Sequence, residues 1–323
     1  MNRLPRTALL SALAATLFAS GSSFAADPPR VIRLIVPYAV GGGTDILSRH
    51  VADELSRELN TTVVVENKPG AGTNIGAMEV VRAPNDGTVI LMGDLALAVN
   101  PTLMANMPYS PQNDLTPIAH VASAPLVLIT NKKSGIESVD ELIKQAKDKP
   151  DSITFASAGL GNPPHLAGEL FKLTTDTDIV HVPYKGVGPA LTDILGGHVN
   201  MLFTGISSTK ALIDEGNLNA LAVTGKNRAP TLPNTPTMTE LGYGDADVTS
   251  WWALYGPAGM NPDTVKSLSE AAERALAKPA LKEKLAQQNI EADYAGADQL
   301  GGKLKTETQR WAEVIKKAGI EPQ

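Results

Sequence analysis

Residues 31–59, VIRLIVPYAVGGGTDILSRHVADELSREL, constrain this chain most: an apolar strand runs into three consecutive glycines that open a helix. VIRLIV is short, apolar and β-branched, as a buried strand should be. Gly41, Gly42 and Gly43 permit a sharp turn and close backbone approach to another molecule. Gly42 is expected either to approach a ligand closely or to take positive φ. Ile46, Leu47, Val51 and Leu55 then follow near helical spacing. Such a helix start aims unpaired N–H groups and the positive end of a dipole outward, which suits an anion.

A second unit of this design lies about a hundred residues on. SITFASAGLGNPPHLAGELFKLT reads as a strand (Ile153, Thr154, Phe155), a small-residue loop from Ser157 to Asn162, and a helix from His165 to Leu173. Two such units read as two jaws presenting loop and helix ends to one ligand. Two unrelated tight turns are the plainer alternative.

The N-terminus bears on the compartment. Arg3 and Arg6 precede the apolar run ALLSALAATLFA, and Ser23-Phe24-Ala25 offers small residues at −3 and −1. This is a secretory signal peptide over residues 1–25, expected to leave Ala26 first after cleavage. The run is short for a membrane span. No cysteine is present, so neither a lipid-anchor site nor a disulfide framework is expected. A bacterial periplasmic protein is the expectation.

About 300 residues exceed what one core usually serves, so two domains are expected. The chain has 28 basic and 34 acidic residues, a formal charge of −6, and −8 once Arg3 and Arg6 are removed. With no basic block, nucleic acid is not an expected partner. A net negative protein still binds anions where local N–H groups set the field. Strands and helices alternate through TTVVVEN, TVILMG, PLVLITNK, SVDELIKQAKD, IVHVPY, GPALTDILGG, HVNMLF and LNALAVT, an α/β pattern of largely parallel sheets. Three helices end the chain and are expected to cap one lobe. PLVLITNK and LNALAVT are the expected crossing strands.

ENKPGAGTNIGAMEVV offers a competing chemistry. Gly70, Gly72 and Gly76 follow a strand and open a helix, and Asp94 lies about twenty residues on, approximating a dinucleotide fingerprint. The glycine spacing is loose, and Asp94 reads better as a strand-end residue beside a cleft. The five histidines show no metal-binding spacing, cysteine is absent and no GxSxG elbow occurs, so no metal or cofactor is expected. His165 with Ser157 admits Ser/His chemistry, a ligand contact or simple packing beneath the loop. Trp251 and Trp252 are adjacent on one strand, so at most one faces a cleft. Tyr38 and Tyr184 each follow a proline at a strand end, a position at a cleft rim.

At these motifs the chain resembles the substrate-binding proteins of tripartite tricarboxylate transporters, the Bug receptors. VPYAVGGGTDILSR, VENKPGAGTNIGA, SAGLGNPPHLAGELF, HVPYKGVGPALTDILGGHV, LAVTGKNRAPTLPNTPTMTELG and SWWALYGPAG match in order over essentially the whole mature sequence. The resemblance implies a two-lobed type II periplasmic-binding-protein fold, each lobe a mostly parallel sheet flanked by helices. Lobe 1 would comprise residues 26–124 and 225–323, and lobe 2 residues 125–224. It also implies no catalysis, a small organic carboxylate as ligand, a membrane permease as partner, and a monomer. The ligand set it carries over is Tyr38, Ala39, Gly41, Gly42, Gly43 and Thr44 on one jaw and Ser157, Ala158, Gly159, Asn162 and His165 on the other, with Tyr184 and Thr204 setting shape.

Three positions depart from the family pattern. Asn162 stands for a common Ser or Thr, Thr73 for a frequent glycine, and Thr204 for a frequent Asp. The missing acid at Thr204 predicts a ligand without an ammonium group, a di- or hydroxy-carboxylate rather than an amino acid. Two rival functions remain on the sequence alone: an exported solute sensor feeding a signalling partner, and a dinucleotide-binding enzyme.

Overall fold

The computed structural model describes residues 31–159, 161–184 and 186–322; the leader over residues 1–25 lies outside them. The first lobe opens with β1 (Val31–Val36), α1 (Gly43–Leu59), β2 (Thr62–Asn67), α2 (Asn74–Val81), β3 (Val89–Asp94) and α3 (Ala96–Leu103). β2, β1 and β3 are parallel neighbours, as short apolar strands joined by crossover helices should be. The chain then forms α4 (Pro111–Asp114) and enters β4 (Leu115–Asn131).

β4 organises the molecule. Its first part pairs antiparallel with β9 (Thr249–Pro257), up to Pro125 opposite Thr249. From Leu126 onward it pairs instead with β7 (Met201–Gly205), and alongside with β8 (Leu218–Val223). One strand of 17 residues therefore belongs to both sheets. Pro117 sits at a register shift and Pro125 at the change of partner, where a missing N–H is tolerated. Buried Thr224 ties the crossing: its Oγ1 accepts the Leu126 amide at 2.7 Å and donates to Val248 O at 2.9 Å.

The second lobe holds α5 (Val139–Asp148), β5 (Ile153–Ser157), α6 (Pro163–Thr175), β6 (Ile179–Pro183), α7 (Val187–Gly196), β7, α8 (Lys210–Asp214) and β8. β6, β5 and β7 form another parallel trio. Among the named strands of the described residues, parallel pairing is confined to one trio per lobe, and the strands near the crossing run antiparallel. β9, α9 (Pro262–Ala277), α10 (Pro279–Ala286), β10 (Glu291–Gly296) and α11 (Ala297–Lys317) complete the described fold.

α9 and α10 rest on α1, within the first lobe. α11 does not cap one lobe only: it packs on α3 and β4 and also touches α6. Its buried stripe, Leu300, Leu304, Trp311, Val314 and Ile315, enters a core that joins Ile35 and Leu91 of the first lobe to Phe155, Phe171 and Phe203 of the second.

Candidate functional site

A cavity of about 530 Å³ opens between the lobes. One side is built by Pro37–Ala39, by the second glycine loop at Pro69, Gly70, Gly72 and Thr73, and by Asp94–Ala96 with Asn100 and Leu103 of α3 and Met104 just beyond it. The other side is Gly161, Asn162 and Pro163, and the C-terminal Ile320 and Glu321 close a flank. Across the cavity the walls come close at Gly161, where an added Cβ would clash with Leu103 Cδ1.

Three helices begin on this wall. The residues that precede α2, α3 and α6, namely Thr73, Leu95 and Asn162, all line the cavity. Their positive ends converge on one space, which favours negative charge there. The four helix starts of the cleft differ in what they leave free. α1 and α2 have no side-chain cap. α3 is capped by Asp94, whose Oδ1 accepts the Ala96 amide at 3.0 Å. α6 is capped by Asn162, whose Oδ1 accepts the His165 amide at 3.1 Å, and its first two residues, Pro163 and Pro164, carry no N–H. The second jaw was expected to offer helix-start amides. What it presents instead is the Asn162 side chain, with one amide hydrogen donated to Gly159 O at 2.8 Å and the other without a partner among the described residues.

The triple-glycine loop is held from behind. Asp45 accepts the Gly41 amide at 2.8 Å and the Asn67 amide at 2.9 Å, and pairs with Arg49 at 2.9 Å. Burial pushes the Asp45 pKa up, but bonds from Arg49, Gly41 and Asn67 outweigh it and leave the carboxyl below its ordinary value. Gly41, not Gly42, takes positive φ (+86°), while Gly42 is extended at φ −76°. Of this loop only Tyr38 and Ala39 line the cavity; Gly41, Gly42 and Gly43 form its exposed rim and Thr44 is buried behind it. Trp252 donates to Thr44 Oγ1 at 2.9 Å, whereas Trp251 is core.

The second-jaw residues divide. Asn162 lines the cavity, and Ala158 and Gly159 are half-buried beside it. Ser157 and His165 lie beneath the loop and off the cavity wall: Ser157 Oγ bonds Gly159 O and His181 Nε2, and His165 Nδ1 accepts the Gly161 amide at 3.0 Å. His165 stacks on His181 at 4.1 Å, and burial lowers their pKa values to about 3 and about 4. Tyr184 donates to Asp193 at 2.6 Å, away from the wall. Thr204 is fully buried on β7, its hydroxyl without a protein partner, and the wall does not include it.

Sequence reasoning missed the second glycine loop and α3 as cavity walls. Ala71, Gly72 and Thr73 take φ of +45°, +57° and +81° in succession. For β-branched Thr73 this is a strained conformation of the kind that gathers at ligand sites. Thr73 is 7% exposed and its hydroxyl has no protein partner. Gly76 serves helix–strand packing, since a Cβ there would meet Pro37 Cβ at 2.9 Å and Lys68 O at 3.0 Å. The signal was present in the Gly70–Gly72 spacing and in Asp94, which does end its strand at the cleft.

Residues 47–320 match the model of the tripartite tricarboxylate transporter family receptor. The chain is 39% identical to protein BugT of Bordetella pertussis over 294 residues, 90% of each chain. Among solved structures, periplasmic binding protein BugD is 35% identical with a TM-score of 0.77 over 92% of this chain and all of that one. Rpa4515 of R. palustris, solved with adipate, is 32% identical with a TM-score of 0.80 over 92% of this chain and all of that one. MatC of Rhodopseudomonas palustris, with bound malate, is 27% identical with a TM-score of 0.75 over 90% of this chain and all of that one.

Proposed function

We infer the role of this chain from one premise: it belongs to the tripartite tricarboxylate transporter receptor family. We propose that it is exported by cleavage after Ala25, captures a small organic carboxylate between its lobes as a monomer in the periplasm, and delivers it to a membrane permease. The observation that carries this reading is the convergence of three helix starts on one inter-lobe cavity. That arrangement lets a carboxylate be held by helix dipoles, the uncapped start of α2 and the Asn162 side-chain amide without an arginine, and bridging waters extend the reach at little cost. The carboxylates bound by the two R. palustris relatives support the ligand class.

In this reading the ligand meets Tyr38 and Ala39 beneath the Gly41–Gly43 rim on one jaw, with Thr44 behind that rim, and Ala158, Gly159 and Asn162 on the other. Ser157, His165, Tyr184 and Thr204 keep the second jaw in shape from beneath. Lobe 2 runs from residue 125 to 224, a division supported by the change of β4 partner after Pro125. Contacts to both jaws favour the closed arrangement, so affinity includes the cost of closing.

The test is a thermal-shift screen of the chain from Ala26 against mono-, di- and tricarboxylates. A true ligand raises the melting temperature progressively with concentration. A ligand-bound structure with the anion touching only one lobe would overturn the reading.

A further inference from the structure

The charge of the cavity wall is the reverse of what a carboxylate receptor would first be thought to need. Among the described residues, the charged side chains on it are Asp94 and Glu321, with no Lys, Arg or His. Glu321 is exposed at the chain end, but Asp94 is built in. It ends β3, caps α3 through the Ala96 amide, and accepts the Tyr38 hydroxyl on its other oxygen. Tyr38 therefore spends its one donor on Asp94 and has none left for an incoming anion. A carboxylate has about four acceptor sites, so Asp94 retains capacity for a donor arriving from the cavity. A second observation on the same wall points to an occupant: the Thr73 hydroxyl, nine-tenths buried, has no protein partner.

We propose that the ligand is a carboxylate that also carries a hydrogen-bond donor, a hydroxyl or an ammonium, and that Asp94 accepts that donor. This rests on the carboxylate-receptor reading and deepens it. An acid made only of carboxylates would set one of its charges against Asp94 in a half-buried space, where repulsion is little screened. A hydroxy or amino acid places its anion toward the helix starts and its donor toward Asp94. On this proposal Asp94 supplies from the cavity wall the acid absent at Thr204, and an ammonium group is an admissible donor alongside a hydroxyl.

The test is isothermal titration of the chain from Ala26 with matched triads that differ in one substituent: succinate, malate and aspartate; glutarate, 2-hydroxyglutarate and glutamate; propionate, lactate and alanine. Within the skeleton that binds, a donor-bearing member is expected to bind about ten-fold tighter or more than the unsubstituted acid, the scale of one charge-assisted hydrogen bond. Asp94→Asn is expected to abolish most of that preference, because its amide donates where the carboxylate accepted. If Asp94→Asn does not fold, the wild-type triads and their pH dependence decide. Burial pushes Asp94 up to about 6, and the titratable groups that feel its charge are the phenols of Tyr38, Tyr109 and Tyr255, all shifted upward. The preference for the donor-bearing acid is therefore expected to fade below pH 6.

Unsubstituted acids binding as tightly as their hydroxy and amino counterparts would overturn the proposal and leave the receptor reading intact. So would a preference for unsubstituted acids that strengthens at low pH, since Asp94 would then be the donor. Folded protein that binds no carboxylate would overturn both.

Discussion

The carboxylate of Asp45 holds the amide of Gly41 at 2.8 Å, so the rim of the cleft is tied to the first turn of the helix that follows it. The same carboxylate reaches Asn67 at the end of β2, whose side chain also donates to Tyr38 O at 3.0 Å. A loop that looks free in sequence is thereby fixed from two sides, by α1 and by β2.

Asp45→Ala is expected to loosen this rim. It removes acceptors for Gly41 and Asn67 in a buried setting and is expected to lower stability by about 1–3 kcal/mol, with the half-exposed Arg49 pair adding little. Urea denaturation gives the stability, and titration with a carboxylate ligand is expected to show weaker binding at unchanged stoichiometry.

The glycines of the rim are not equivalent. Gly41→Ala forces a Cβ into φ +86°, and should cost about 1–2 kcal/mol even though nothing lies within 4 Å of the added atom. Gly42→Ala sits at φ −76° with only Ala39 O at 3.6 Å, and is expected to be neutral or slightly stabilising. Equal destabilisation by both in chemical denaturation would contradict the difference in backbone conformation.

Gly161→Ala tests the contact across the cleft. Its Cβ would meet Leu103 Cδ1 at 2.2 Å, so the second jaw and α3 must move apart or Leu103 must turn. Affinity is expected to fall about ten-fold, and Leu103→Ala in the same chain should restore part of it, because neighbouring substitutions couple. Titration of the single and double variants measures the coupling.

Burial holds His165 and His181 neutral, with pKa values near 3 and 4 against an ordinary 6.5. The unfolded chain takes up protons that the folded chain refuses, so their stabilisation is full above 6.5 and is lost as pH falls toward 4. Asp94, raised to about 6, works in the opposite sense. The difference in unfolding free energy between wild type and His181→Gln isolates the histidine: it is expected to be larger at about pH 7 than at about pH 5. A difference that does not change with pH would show that His181 is not held neutral.

The first and second jaws were legible because each joins an apolar strand to a helix through residues that suit little else. α3 was not: ALAVNPTL contains Pro101 and lacks a polar stripe, so no helical period stands out. β4 was read only from Pro125 onward, since Pro117 and Pro125 look like strand breaks. They are tolerated at a register shift and at the change of partner sheet, which only the pairing reveals. The ligand set leaned on the first loop and the Ser157–His165 turn, and the cavity wall runs further, along the second glycine loop and Asp94. Local pattern reports a loop's chemistry but not which loops share a space.

β4 and the core beneath α11 set how this molecule melts. Leu91 and Trp311 share a buried cluster with Phe155 and Phe171, so neither lobe can be stripped away without exposing the other's interior. A strand paired on both halves couples the ordering of the two sheets. The division that serves capture is therefore expected to be no division for unfolding: a single calorimetric transition, with the two lobes melting as one cooperative unit, is the expected outcome.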